Sequence, residues 1–245
     1  MQMRRFYCPD IPAPGCLATL SESEAKHAIK VLRLRRGERL LLLDGKGSIA
    51  EAELLDSERA GRSASCRILN RKCQPEPKPK FRLYAAPPHG KGFDFLLKAA
   101  VELDIARISP IICRHAVAKP ENISDSWLNV LITACKQAVN PRIPRLDQPT
   151  GFQQALREAQ ETGFFGAVPS SQQQATTTAE LDNANGLALW IGPEGGFAGS
   201  EEQALLEAGC RPLTVGSCVL RVETAVPALI GMIHGIINAS QQKNK

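Results

Sequence analysis

Between Leu187 and Thr224 the chain twice runs a short apolar stretch into a turn that carries almost no side chains. Leu187–Ile191 leads into Gly192-Pro193-Glu194-Gly195-Gly196, and Leu213-Thr214-Val215 leads into Gly216-Ser217, followed by Val219-Leu220-Arg221. A strand that ends in glycine lets a ligand lie against the main chain and bond its N–H and C=O groups directly. Two such ends side by side make one pocket. The first loop lacks the Lys-Ser/Thr pair of a phosphate-binding loop and the glycine spacing of a dinucleotide fingerprint. A ligand held by backbone and shape fits better than one held by its phosphates.

The segment Lys72–Lys80 (KCQPEPKPK) divides the chain. Alternating prolines continue neither a helix nor a central strand and favour an extended, semi-rigid connection. Residues 1–72 form one predicted domain, 73–80 the linker and 81–245 a second domain.

Before the linker the pattern is mostly β. A short helix is predicted over Ser23–Val31, started by Ser21 or Ser23. Glu38–Asp44 and Ser48–Leu55 read as a hairpin around Asp44-Gly45-Lys46-Gly47, and Ala64–Asn70 as a further strand. A small β-barrel is implied.

After the linker, strands alternate with helices. Strands are predicted at Phe81–Ala86, Arg107–Ile112, Gly163–Val168, Leu187–Ile191 and Leu213–Val215. Helices are predicted at Phe93–Leu103, Ser126–Val139, Ser200–Ala208 and Glu223–Ile237. Ser200 is the expected N-cap of the third helix and Gly209 its stop. This alternation implies an α/β domain with a mostly parallel sheet and a ligand site at the C-terminal ends of its strands. Ser170–Thr178 reads as a polar low-complexity loop.

Eight scattered cysteines include no Cys-x-x-Cys pair, and no histidines stand at ligand spacing, so no metal site is expected. The N-terminus lacks the apolar stretch of a signal peptide. Val226–Ile237 is the most apolar run, interrupted by Gly231, His234 and Gly235 and too short to span a bilayer. A cytoplasmic protein with reduced thiols is the default expectation. The formal net charge is +5 and the sequence pI about 8.8, which suits a nucleic-acid partner. Basic residues crowd the first fifth of the chain. Among them Arg4, Arg5, Lys26, Arg33, Arg35 and Arg36 are candidates for gripping phosphates.

IGPEGGF followed by Gly-x-x-x-Leu-Arg-x-Glu-Thr-Ala resembles the signature of the RsmE family. The similarity runs nearly end to end. Met3–Tyr7 resembles the family's opening, and His27–Arg33 with Asp44-Gly45 its RNA-binding, PUA-like barrel. Lys91, Lys98 and Glu102-Leu103 stand where the family has Lys and a Lys-x-x-Glu-Leu-Gly helix. The resemblance implies a SPOUT methyltransferase domain, with a trefoil-knotted parallel sheet, behind a small PUA-like β-barrel. It implies a homodimer whose cofactor sites lie close to the subunit interface. It implies S-adenosylmethionine-dependent methylation of N3 of a uridine in 16S ribosomal RNA, the one numbered 1498. The substrate partner would be that RNA or the small ribosomal subunit.

On that reading the cofactor contacts come from Val168, Pro169, Leu189, Ile191, Gly192, Pro193, Gly195, Gly196, Val215, Gly216, Ser217, Val219, Leu220, Thr224 and Ala225. Arg221 orients the uracil and stabilises the charge that spreads onto O2 and O4. Glu223 or Glu194 holds Arg221 or accepts the N3 proton. Lys91 joins the RNA-binding set. Three departures stand out, one of them Val168, which sits before Pro169 where some relatives have histidine. Where the family has Glu-Gln-x-Gly-Arg, this chain has Lys136-Gln137-Ala138-Val139-Asn140, and Asp104 replaces the glycine of Glu-Leu-Gly. They leave a second hypothesis, an RNA-binding protein of the same fold that lost or retargeted its activity. A Rossmann-type nucleotide enzyme fits poorly, since no fingerprint is present.

Overall fold

The computed structural model describes residues 3–57, 62–90, 92–169 and 186–243. The expected low-complexity loop Ser170–Thr178 and Lys91 lie outside the described residues. The chain divides into two compact units. One comprises Met1–Glu76 with Leu131–Ile143, the other Pro77–Val130 with Pro144–Lys245.

The first unit is built on a five-stranded sheet. Its strands are β1 (Arg4–Tyr7), β2 (Leu17–Leu20), β3 (Arg39–Leu43), β4 (Ser48–Ser57) and β5 (Ala64–Cys73), in the order β1-β3-β4-β5-β2. β1 runs parallel to β3, and the other pairs are antiparallel. The β3–β4 turn is tied by Asp44, whose Oδ1 accepts from the N–H groups of Lys46 (2.7 Å) and Ser48 (2.8 Å). Alternate residues of the strands, among them Phe6, Leu40, Leu42, Ala50, Ala52 and Ile68, fill the core. The expected helix starts one residue early, as α1 (Glu22–Lys26) capped by the Ser21 hydroxyl. It then widens into a π-turn over His27–Val31.

The second unit carries a wholly parallel sheet. Its strands are β6 (Lys80–Ala85), β7 (Arg107–Ile112), β8 (Arg145–Leu146), β9 (Thr150–Gly151), β10 (Thr162–Gly166), β11 (Gly186–Ile191) and β12 (Arg211–Leu213). The order is β12-β10-β11-β6-β7-β8, with β9 also on β7. Every residue of β11 is buried, as expected for a central parallel strand covered on both faces. On one face Tyr84 stacks on Trp190 with ring centroids 3.8 Å apart, and Phe152, Phe165 and Phe197 pack around them. β1, β2, β8, β9 and the helix α4 (Phe152–Glu158) go beyond the sequence reading, being short elements with little periodicity to reveal them.

The other helices are α2 (Gly92–Glu102), α3 (Asp125–Ala138), α5 (Gly199–Glu207) and α6 (Val222–Lys243). α5 is not capped by Ser200. It starts after Ala198, and Glu201 reaches back so that its Oε2 accepts from the Ala198 N–H at 2.8 Å. α6 is longer than expected, and Val222–Ala239 is long and apolar enough, by length and composition, to cross a membrane. Here Val226, Leu229, Ile230 and Ile233 are buried in the unit's core, and His234 Nε2 meets the Leu103 carbonyl at 2.8 Å. One face of α6 thus packs on the unit's core, with about 33% of that stretch buried.

Three helices end in the same way. After α2, α3 and α5 one residue takes a left-handed conformation: Asp104 (φ 55), Val139 (φ 58) and Gly209 (φ 80). In each case the next N–H bonds the carbonyl five residues back: Ile105 to Ala100, Asn140 to Cys135, and Cys210 to Leu205. This is the Schellman arrangement, in which glycine is the favoured left-handed residue. Both departures from the family glycines therefore fall at positions that need a positive φ.

The segment Leu131–Ile143 is secured within the first unit. Lys136 Nζ lies 2.5 Å from Oε1 of the buried Glu24, and Arg5 Nη1 donates to the carbonyls of Lys136 (3.2 Å) and Gln137 (2.8 Å). The Ile143 N–H donates to the Gly45 carbonyl at 2.9 Å.

Candidate functional site

The sheet register sets the site. Gly166 of β10 stands opposite Leu213 of β12, and Phe165 opposite Trp190 of β11, so three strands end at one level. The loops that leave them, after Gly166, Ile191 and Leu213, enclose one cavity of about 590 Å³. That volume suits a cofactor-sized ligand. The two side-chain-poor turns read from the sequence do meet.

Glycine is required where the first loop folds on itself. A Cβ on Gly192 would stand 3.0 Å from the Phe197 nitrogen and 3.2 Å from the Gly196 carbonyl carbon, both main-chain atoms with little freedom to move. Gly196 and Gly216 take φ of 73° and 71°, open to glycine without strain. Of the residues expected to hold a cofactor, Val168, Pro169, Ile191, Gly192, Pro193, Gly195, Gly196, Val215, Val219, Leu220 and Ala225 line the cavity. Leu189, Gly216, Ser217 and Thr224 do not. Leu189 is fully buried within the sheet, two residues below Ile191, and Thr224 lies in the first turn of α6 with its N–H on the Arg221 carbonyl. Sequence reasoning missed Phe197, Glu202, Thr214, Cys218, Val222 and Leu229, which also line it. Glu202 had a signal, as an acid in the helix turn directly after the glycine loop. Leu229 had one too, since it lies one helical turn beyond Ala225 on the same face of α6.

Arg221, Glu194 and Glu223 all line the cavity. Arg221 is the residue before α6, and its carbonyl accepts from the N–H groups of Thr224 and Ala225. Its exposed guanidinium forms no ion pair with either glutamate among the described residues. Glu194 Oε1 instead accepts from the His89 N–H at 2.9 Å, which ties the glycine loop to the loop after β6. Glu223 Oε1 lies at the start of α2, 3.1 Å from where a Gly92 Cβ would be. A carboxylate is favourable there, beside a helix N-terminus. Arg221 is thus left free to address a ligand.

Charge selects the kind of ligand. Three carboxylates, Glu194, Glu202 and Glu223, line the cavity against one guanidinium, Arg221. A net negative wall repels di- and triphosphates and attracts a cation. The remaining wall is apolar, from Ile191, Leu213, Val215, Leu220 and Leu229. A sulfonium-bearing nucleoside fits these walls, and a nucleotide carried by its phosphates does not. Among the described residues no cluster of His, Cys, Asp or Glu could hold a metal ion.

The basic residues of the first unit fare unevenly. Arg4, Arg33, Arg35 and Arg36 are exposed, and Arg33 stands in a left-handed conformation (φ 55) just beyond the π-turn. Arg5 is spent on the carbonyls at the end of α3, and Lys26 pairs with Glu22 one turn away at 2.6 Å.

A family profile described as RNA methyltransferase domain matches residues 74–234, and one described as RNA methyltransferase PUA domain matches residues 20–60. The chain is 28% identical over 237 residues to a ribosomal RNA small subunit methyltransferase E of Mycobacterium bovis, covering 93% of this chain and 90% of that one. A solved ribosomal RNA small subunit methyltransferase E of Neisseria gonorrhoeae, bound to S-adenosylmethionine, superposes with a TM-score of 0.84 at 28% identity. That match covers 96% of this chain and 98% of the other. A Legionella pneumophila structure in complex with the same cofactor superposes at 0.81 and 28% identity, covering 96% and 98%. The sequence signature, the shared cavity and a family match spanning well over half of the chain converge: this protein belongs to the RNA methyltransferase family whose matched members include the ribosomal RNA small subunit methyltransferases E.

Proposed function

We propose that this protein transfers a methyl group from S-adenosylmethionine to N3 of a specific uridine in 16S ribosomal RNA, during maturation of the small subunit. The observation that carries this reading is the single cavity in which two glycine loops, a net negative lining and an unpaired Arg221 come together. The cofactor supplies a sulfonium methyl group as electrophile when bound. Main-chain groups of Gly192–Gly196 and the loop after Leu213 would bond its polar edges, and Ile191, Val215 and Leu220 would cover its ring.

N3–H of neutral uracil is a poor nucleophile, so its proton must leave and the charge that remains must be stabilised. The Arg221 guanidinium is the cation lining this cavity, and its donors suit the oxygens O2 and O4. Glu194 and Glu223 are the carboxylates beside it that can accept the N3 proton. Glu194 is anchored by the His89 N–H and Glu223 stands at the start of α2, and neither pairs with Arg221 among the described residues, which leaves Arg221 to the base. The exposed arginines of the first unit, Arg4, Arg33, Arg35 and Arg36, would grip RNA phosphates.

The SPOUT reading brings with it the trefoil knot, a homodimer and a cytoplasmic setting. The order β12-β10-β11-β6, in which the chain steps back across β10, supports a threaded C-terminal segment. The rival reading, a fold that lost its chemistry, drew its support from the changed segment around Lys136. Lys136 in that segment pairs with the buried Glu24, and no residue of the segment lines the cavity. The test is methyl transfer onto 16S ribosomal RNA from cells lacking the gene, by wild type and by Arg221→Ala. The variant should lose about 10²–10³-fold in kcat, as when one donor to a developing oxyanion is removed. Its cofactor affinity by calorimetry should be unchanged. Near-normal turnover would take Arg221 out of the mechanism.

A further inference from the structure

A net negative cavity has to accept a base whose own backbone carries negative charge. Glu194, Glu202 and Glu223 would repel the phosphates flanking an extruded uridine, and Arg221 is engaged by the base. Cations just outside the rim are needed to hold the strand.

The turn at the end of β7 is built to provide them. Cys113 and Ala116 point inward, 2% and 7% exposed, and the Ala116 N–H closes the turn on the Cys113 carbonyl at 3.1 Å. Arg114 and His115, between them, point outward and are exposed. Neither side chain has a hydrogen-bond or ion-pair partner among the described residues. The turn is nevertheless rigid. The Arg114 N–H donates to Oε1 of the buried Glu201 at 2.9 Å, and the other oxygen of that carboxylate holds the Ala198 N–H. One carboxylate therefore fastens this turn to the start of α5, directly after the glycine loop. The two meet at Gly195, where a Cβ would stand 3.4 Å from the His115 Cβ. Gly195 itself lines the cavity.

We propose that Arg114 and His115 form a phosphate clamp at the rim, gripping the RNA backbone next to the target nucleotide and thereby positioning the base. The fork of Arg114 suits a phosphate, and His115 adds a ring N–H donor. Because the turn is locked to the glycine loop, the clamp sits at a fixed distance from the cavity before RNA arrives. Both are positioning residues, acting on binding and orientation rather than on the transfer step. The inference rests on RNA being the acceptor.

The test compares wild type, the Arg114→Ala/His115→Ala double variant and Arg114→Lys, using 16S ribosomal RNA as probe. The double variant should bind RNA about tenfold more weakly. Its slope of log affinity against log salt should be smaller by about 1, because the phosphate held by Arg114 is no longer neutralised. KM for RNA should rise, with kcat at saturation within twofold of wild type and cofactor affinity unchanged. Arg114→Lys should keep most of the affinity. An active wild type alongside a double variant of unchanged KM and salt slope would overturn the clamp and leave the methyltransferase reading intact. Loss of cofactor binding in the double variant would also overturn it, assigning the pair to support of the Gly195 loop. A wild type that binds the cofactor but not RNA would overturn both.

Discussion

Val139 should be the wrong residue for its place, and its neighbours make this measurable. It follows α3 at φ 58, where a β-branched side chain is strained. The left-handed conformation costs an L-residue roughly 1–2 kcal/mol. Replacement by alanine removes the two half-buried methyls but keeps Cβ, so most of the strain stays and some packing is lost. Replacement by glycine loses the same packing, relieves the strain, and costs about 0.5–1 kcal/mol in backbone entropy. Val139→Gly should therefore be more stable than Val139→Ala by about 0.5–1 kcal/mol. Within a helix the order is the reverse. For a chain of this size that is a difference of about 1–4 °C in Tm, resolvable by calorimetry or far-ultraviolet circular dichroism. Asp104→Gly is the control. Asp104 has the same conformation but a side chain that tolerates it, so the gain over Asp104→Ala should come from relieving that alanine rather than the native residue. An alanine at 139 as stable as glycine would refute the reasoning. It would mean that Arg5 and the Asn140 hydrogen bond hold this helix end with no strain to release.

A second prediction concerns the polar cluster of the sheet. Asp147 takes hydrogen bonds from Arg107 (2.7 Å), Ser109 (2.6 Å) and Arg82 (3.1 Å). Burial alone would raise its carboxyl, but the bonds from Arg107 and Ser109 and the charges of Arg107 and Arg82 outweigh this and hold it below the usual range. A carboxylate with a lowered folded-state value stabilises the fold above its unfolded value, about 3.9, and loses that contribution as pH falls through the folded one. Asp147→Asn should cost about 1–3 kcal/mol at pH 7, because Arg82, Arg107 and Ser109 lose the carboxylate they share while Arg82 keeps Glu161. The gap from wild type should close below about pH 4, and a gap independent of pH would exclude the mechanism. A third prediction uses the thiols. Burial pushes Cys66, Cys113 and Cys135 up to about 12 and Cys210 to about 11, so these should resist alkylation at neutral pH. Exposed Cys16, Cys73 and Cys218 should react. Since Cys218 lines the cavity, S-adenosylmethionine should protect it and leave Cys16 and Cys73 unprotected, read by mass spectrometry. Equal labelling of Cys218 with and without the cofactor would place the ligand elsewhere.

Much of the site was legible locally. Glycine runs after apolar stretches mark strand ends, and strand positions such as Leu187–Ile191 follow from unbroken apolar runs. Both signals arise within a few residues. Arg221 could be singled out because a charge interrupts an apolar segment directly after the second bare turn, though the structure leaves its side chain exposed. The partners of the glutamates could not. Glu194 bonds the His89 N–H, and Glu223 is carried to the start of α2 beside Gly92, each across more than a hundred residues of chain. The same holds for Arg5, a plausible phosphate ligand by charge, which is engaged by carbonyls of a helix end far along the chain.

The kinds of element, their approximate limits and the two bare turns were written in the order of the residues, because steric preference and side-chain period act over one or two turns of backbone. Which turns face each other, what charge their shared wall carries, and which cations stay free depend on strand register. Gly166 must lie level with Leu213, and Phe165 with Trp190, before any cavity exists. Register is set by how the whole sheet packs its faces, and only the folded chain settles it.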